Sequence, residues 1–216
     1  MNRIPLFPLG VVLLPGMAMP LHIFEERYKQ MISECLENDR VFGIVYYDGQ
    51  DMRGAGCLAR VTKVLKRYDD GRMDIVVQGG ERFIMRQLLE EKSYMEADVV
   101  LFGDEKPPAD VNVSRQAARA EKLLRELADE GDVATVLTEA VRSDPEALSF
   151  AVAATASFER SEQQRFLEMT SSTERLEKAI SALSAIAERS RISDRVRDII
   201  GGNGRLPETL RRLLEE

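Results

Sequence analysis

Two periods of apolar residues divide the chain. Between Ile4 and Phe102 the apolar positions form short runs or alternate with polar ones, whereas from Ala120 onward they recur every third or fourth residue. The first pattern predicts strands. "VFGIVYY" (41–47) is a buried run, and "CLARVTKVLKRY" and "MDIVVQ" flank "DDG" (69–71), the turn residues of a hairpin. Gly79-Gly80 interrupts the strand pattern "DIVVQGGERFIMRQL", which predicts a bulge or corner where the sheet curls on itself, and "YMEADVVLF" (94–102) closes a small antiparallel barrel. One helix is expected inside this half. "FEERYKQMISECLEN" sets Tyr28, Met31, Ile32, Cys35 and Leu36 on one face, positioned to cover an open end of the barrel.

"GDEKPPADVN" (103–112) has two adjacent prolines and almost no apolar content, so it reads as a connector. Beyond it, Ala120, Leu123, Leu124 and Leu127 form one helical stripe, and Val133, Val136, Leu137, Ala140 and Val141 a second. Asp132 and Asp144 are expected N-caps, the latter followed by Pro145 at the first helical position, and Ser171 with Glu174 has capping-box spacing. "GGNG" (201–204) breaks two short terminal stretches. The expected organisation is therefore a barrel over 1–102, a connector over 103–112, helices over 113–192 and a C-terminal helical tail over 193–216, an α+β chain.

The opening "IPLFPLGVVLLPGMAMPLHIFEERY" (4–28) is apolar enough to raise a targeting segment or a membrane span. Pro5, Pro8, Pro15 and Pro20 interrupt it every few residues, which excludes both readings. It reads as first strands, and the chain as soluble and cytoplasmic. The net charge of −7 is spread over both halves and includes no phosphate-binding stripe. Cys35 and Cys57 are too few for a disulfide framework or a structural zinc site, and read as buried thiols.

Candidate chemistry is sparse. The one histidine, His22, has no nucleophile motif near it and reads as structural at a strand-to-helix junction. The acidic pairs Glu25-Glu26, Asp69-Asp70 and Glu90-Glu91 point to different faces and read as solvated charge. No spacing matches a metal or cofactor site, so none is expected, and no catalytic residue is assigned.

Several separated stretches resemble one family, the N-terminal substrate-binding domain of the ATP-dependent protease Lon: the opening segment, "FGIV", "GCLARVTKV", "DGRMDIVVQGGERF", "YMEADV", "DPEALSFAVA" and "QQRFLEMTSSTERLEKAISAL". The resemblance spans residues 4 to about 185 and implies a PUA-like antiparallel β-barrel followed by an α-helical bundle. The chain contains no G-x-x-x-x-G-K-[ST] phosphate loop, and the residues after 190 leave no room for ATPase and protease modules. It thus resembles a solitary Lon-N-like protein, a non-enzyme, with a fragment of a longer protease as the competing reading.

Function is then expected to be binding. The candidate polypeptide-contacting residues are Met17 and Met19, as adaptable side chains in a proline-flanked loop, with Phe24, Glu26, Arg27 and Gln30 at the helix start, where Glu26 stands in a position that is proline in many relatives. A free edge strand is a third candidate. The expected partners are unfolded or exposed polypeptide segments, with a protease or chaperone in an adaptor or regulatory role. The alternative is a PUA-like RNA-binding module, favoured by Arg60, Lys63, Lys66, Arg67 and Arg72 but opposed by Asp69, Asp70 and Asp74 among them.

Overall fold

The computed structural model describes residues 2–105, 113–127, 141, 144–155 and 158–201. Six strands form the first half: β1 (Asn2–Leu9), β2 (Ala18–Ile23), β3 (Phe42–Tyr47), β4 (Met52–Arg67), β5 (Met73–Leu89) and β6 (Glu96–Phe102), with α1 (Glu26–Glu37) between β2 and β3. The described helices of the second half are α2 (Val113–Leu127), α3 (Pro145–Thr155), α4 (Arg160–Glu168) and α5 (Ser172–Gly201).

The strands run in the order β2-β5-β4-β3-β1-β6, and β5 also pairs with β6, which closes β5, β4, β3, β1 and β6 into a ring. The ring is not wholly antiparallel as expected: β1 and β3 are parallel, Leu6 opposite Gly43 through Leu9 opposite Tyr46. The long connection through β2 and α1 makes this parallel return feasible, since parallel neighbours need a crossover of about a dozen residues or more. Inside the ring sit Ile4, Leu6, Val45, Phe83, Ala97 and Val99. Phe83 fills the axis. A Cβ on Gly43 or Gly56 would lie 2.6 or 2.5 Å from its ring, so two glycines face one aromatic.

β5 serves two sheets because it bends at Gly79-Gly80. Its first half pairs with β2 and with the outer half of β4, and its second half pairs with β6. Close approach explains the first glycine, because a Cβ at Gly79 would meet the Leu14 carbonyl oxygen at 2.2 Å. The backbone of the 15–17 loop is pinned here, with Gly16 N–H donating to Gly79 O and Gly79 N–H donating to Met17 O, both at 2.9 Å. The DDG turn forms as expected, with Tyr68 N–H donating to Arg72 O at 2.9 Å and Gly71 at φ 82°.

α1 buries Tyr28, Met31, Ile32 and Cys35, the face its period predicts. These join Leu13, Leu14, Phe42, Ile44, Cys57 and Ile75 in the main core, and Phe150, Ala153, Phe166 and Leu167 from α3 and α4 enter the same cluster. The barrel and the helices thus share one core on either side of the 103–112 segment. A second cluster packs Ala120 and Leu124 of α2 against Leu148 and Val152 of α3 and Leu176, Ala179, Ile180 and Leu183 of α5. Asp144 caps α3, its Oδ1 accepting from the N–H of Glu146 at 2.9 Å, and Ser171 Oγ accepts from Glu174 N–H at 3.2 Å before α5. The boundary expected at 192/193 falls inside α5, which is continuous to Gly201. Val133 to Ala140, Asp132, most of 103–112 and the 202–216 segment lie outside the described residues.

The two halves are also clasped by charge. Arg82 of β5 and Arg175 of α5 are both fully buried and both bind the buried Asp104, Arg82 at 2.6 Å. Arg82 also donates to Leu167 O at 3.0 Å and to half-exposed Glu146 at 3.3 Å, and Arg175 donates to Met169 O at 2.8 Å and Ser149 Oγ at 2.7 Å. Phe150 lies between the two guanidinium groups, 3.7 Å from Arg175 and 5.0 Å from Arg82. Every charge here has an opposite charge or a carbonyl beside it, the condition for burying it.

Candidate functional site

An apolar groove of about 490 Å³ opens where the end of β1 stands apart from β2. Phe7, Pro8 and Leu9 form one wall, and Leu21, His22 and Ile23 continue into Phe24 to form the other. The floor is core: Phe7 and Tyr28 are buried with ring centroids 4.2 Å apart, and burial pushes the Tyr28 phenol above its ordinary pKa. The rim is not core. Phe24 is 60% exposed, an unusual position for a large aromatic side chain beside a cleft.

β2 alternates, with Met19 and Ile23 inward and Ala18, Pro20 and His22 outward. His22 is thereby placed on the groove's lip, its ring stacked with Phe24 at 5.9 Å and edge-on to Tyr68 at 6.0 Å. His22 Nδ1 lies 2.6 Å from Asp74 Oδ1, and the Tyr68 hydroxyl donates to Asp74 Oδ2 at 2.8 Å. Together these bonds hold the Asp74 carboxyl below the usual range, and the bond to Asp74 raises the Tyr68 phenol. His22 thus sits near the end of β2, just ahead of α1, at the strand-to-helix junction the sequence predicts, and the fold adds Asp74 as its partner.

The six expected contact residues part company. Phe24 and Arg27 line the groove. Arg27 is held by Glu25 at 2.7 Å and lies over the Tyr28 ring at 4.7 Å. Glu26 points to solvent in a surface pair with Lys29 at 2.7 Å. Gln30 belongs to a neighbouring network, donating to Glu34 at 2.9 Å and accepting from Ser93 Oγ at 2.8 Å. In that network the Tyr94 hydroxyl and Lys92 also donate to Glu34, at 2.6 and 2.9 Å, and pull its carboxyl down to about 2. It ties the 92–95 loop to α1.

The methionine expectation is corrected by the packing. Met19 is 7% exposed and belongs to the core, and Met17 is half-buried against it. Neither lines the groove. The 15–17 loop is drawn inward by its bonds to Gly79, so its methionines fill space under β5.

Nucleophilic chemistry has little support in the geometry. Burial pushes the Cys57 thiol up to about 12 and the Cys35 thiol up to about 11, far from the thiolate state a nucleophile needs. Among the described residues no three of His, Cys, Asp and Glu gather as metal ligands, and no helix is long and apolar enough to cross a membrane.

Free sheet edges are present but obstructed. Beyond the ring, β4 and β5 extend as an arm with β2 at its side, so the outer edge of β2 and the edge of β4 residues 60–67 that faces away from β5 have no strand partner among the described residues. Pro20 lies in the middle of β2 and Pro8 on the wall of β1 opposite, each lacking an N–H. The β4 edge carries two register shifts, at Val61/Lys63 and Val64/Lys66, and the cations Arg60, Lys63, Lys66 and Arg67. Bulges and charge of this kind discourage strand addition.

A closed ring of five strands clasped to helices makes this an α+β protein with an apolar cleft beside an exposed aromatic side chain. The chain belongs to the ATP-dependent protease La (Lon) substrate-binding domain family, whose model matches residues 3–185. It is 27% identical over 211 residues to the Lon protease of Anaeromyxobacter dehalogenans (strain 2CP-C) and 26% identical over 211 residues to Lon protease 2 of Myxococcus xanthus. Each alignment covers 92% of this chain and 25% of the relative, so the chain spans about a quarter of the length of the curated relatives it matches. Among solved structures, the fold is similar to a Lon N-terminal domain protein from Xanthomonas campestris (TM-score 0.66, 20% identity, 84% of this chain and 98% of that one). It is also similar to the N-terminal domain of Mycobacterium avium complex Lon protease (TM-score 0.68, 19% identity, 85% and 98%).

Proposed function

We propose that the chain is a non-catalytic module that binds apolar segments of unfolded or exposed polypeptide in the groove between β1 and β2, acting as an adaptor or regulator of proteolysis. The observation that carries this reading is Phe24, a large aromatic left 60% exposed at the lip of an apolar cleft. Burying such a side chain against an occupant contributes about 1.5–3 kcal/mol, so binding in the micromolar range, about 8 kcal/mol, needs several apolar anchors besides the contact with Phe24 to offset the cost of association. Family membership supports the same class of role.

The obstructed edges shape the mode of binding. With Pro8 on the β1 wall and Pro20 just ahead of the Leu21–Ile23 wall, both lacking an N–H, an occupant is held by its side chains rather than by a main-chain ladder. Apolar anchoring of this kind is tolerant of sequence, as a module that meets many clients requires. The RNA-binding alternative is weakened by pairing within the basic arm: Arg60 bonds Asp39, Arg72 bonds Asp70 at 2.7 Å, and Lys66 sits over the Tyr68 ring at 4.4 Å.

The test is fluorescence anisotropy of a labelled, reduced and alkylated protein titrated with this chain, beside labelled single-stranded RNA at the same ionic strength. Saturable micromolar binding to the unfolded protein, weakened about tenfold by Phe24→Ser, is expected. Silence up to high micromolar concentrations rejects the reading, and binding to RNA alone replaces it.

A further inference from the structure

The floor of the groove carries a hydroxyl that the fold does not use. Among the other polar side chains of the lining, Tyr47 donates to Gly49 O at 2.9 Å, His22 is bonded to Asp74, and Arg27 is paired with Glu25. The Tyr28 hydroxyl has no hydrogen-bond partner among the described residues: burial raises its pKa, Arg27 lowers it and Glu25 raises it, and no bond contributes. Nor is its oxygen sealed away, since the buried polar atoms left unpaired among the described residues belong to Gln116, Gln164 and Thr173. It reaches the cavity that Tyr28 lines, which is the groove.

Packing fixes the direction of this hydroxyl. Tyr28 is 7% exposed in the first turn of α1, its ring lying 4.2 Å from Phe7 on one side and 4.7 Å from the Arg27 guanidinium. With its pKa above the ordinary value, the phenol stays neutral at physiological pH and has a proton to donate. In an open groove water takes that hydrogen bond. An occupant that covers the floor displaces the water, and the hydroxyl then either donates to the occupant or is left unpaired at a cost.

We propose that the Tyr28 hydroxyl is the specificity-determining donor of the groove, giving a hydrogen bond to a main-chain carbonyl of the bound segment beside the side chain anchored on Phe24. The inference rests on the groove reading above and narrows its ligand to apolar side chains carried on a peptide backbone. A bare hydrocarbon chain would cover the hydroxyl and offer it no acceptor. A carbonyl also suits the lining better than a carboxylate, because Arg27 is already matched by Glu25 and His22 by Asp74, so a further anion finds no uncompensated charge there. A single carbonyl bond needs no strand pairing, and is therefore compatible with Pro8 in β1 and Pro20 in β2.

Tyr28→Phe decides it, because phenylalanine keeps the ring against Phe7 and removes only the hydroxyl. The anisotropy titration with reduced and alkylated labelled protein is run on wild type, Tyr28→Phe and Phe24→Ser, and the urea midpoint of Tyr28→Phe is measured without ligand. Tyr28→Phe is expected to bind about fivefold more weakly than wild type, the equivalent of one ordinary hydrogen bond, with an unchanged urea midpoint. Equal or tighter binding by Tyr28→Phe, while Phe24→Ser still weakens it, overturns the role of the hydroxyl and leaves the groove reading intact. A lowered midpoint overturns it whatever the binding, because the hydroxyl then serves the fold. Absence of binding by wild type removes the groove reading and this inference together.

Discussion

The lip of the groove and the Arg82–Asp104–Arg175 clasp use the same ingredients, aromatic rings beside ionic hydrogen bonds, in opposite ways. In the clasp, Phe150 is buried between two guanidinium groups and each charge is met by Asp104, Glu146 or a carbonyl. At the lip, Phe24 is uncovered and stacked on the exposed His22 ring. A closed set of contacts contributes to holding the fold together, whereas an open set is available to a second molecule. Substitutions in the two places should therefore separate stability from binding.

The sharpest break is Asp104→Ala. It leaves two buried arginines without their shared carboxylate and should cost about 3–5 kcal/mol in urea denaturation; a loss below about 1 kcal/mol would show that the clasp is incidental. Next comes Met19→Ala, expected to cost about 2–5 kcal/mol because Met19 is core, with groove affinity retained. A lip residue would show the reverse.

Acid stability sharpens the contrast further. Glu34, drawn down to about 2 by Tyr94, Lys92 and Gln30, contributes stability that is present above the ordinary carboxyl range and lost as pH falls from about 4.5 toward 2. Glu146 has the opposite sign. Burial and the charge of Asp104 raise its carboxyl, so its contribution is complete below the ordinary range and declines as pH rises through the raised value. Urea midpoints against pH should accordingly lose part of their acid limb in Glu34→Gln and gain at neutral pH in Glu146→Gln. Smallest of all is the stability change in Phe24→Ser, within about 0.5 kcal/mol by the same assay, despite its tenfold effect on binding. A large loss would return Phe24 to the core.

Legibility in the sequence followed the range of the interactions. The DDG hairpin, the Gly79-Gly80 corner, the buried face of α1 and the caps at Asp144 and Ser171 are local in sequence, and they form where expected. The parallel pairing of β1 with β3 was not legible, because strand alternation carries no direction. Met17 and Met19 looked like loop residues because nothing local reveals the bonds from Gly79 that draw the loop inward. The clasp joins positions 82, 104, 146 and 175, yet one trace existed: Arg175 falls on the stripe of Leu176, Ala179, Ile180 and Leu183, where a cation has to find a buried partner. At the candidate site, the helix start pointed to Phe24 and Arg27, which line the groove, while the pairing of His22 with Asp74 needed the fold to bring them together.

Pro8 and Pro20, in the strands that flank the groove, also bear on self-association. A protein that gathers unfolded chains concentrates the material from which cross-β assemblies nucleate, and a flat edge beside the cleft would template them. Pro8 in β1 and Pro20 in β2 each interrupt the row of N–H donors beside the cleft, and the bulged, cationic edge of β4 discourages strand addition. A segment bound as proposed would be held without being seeded.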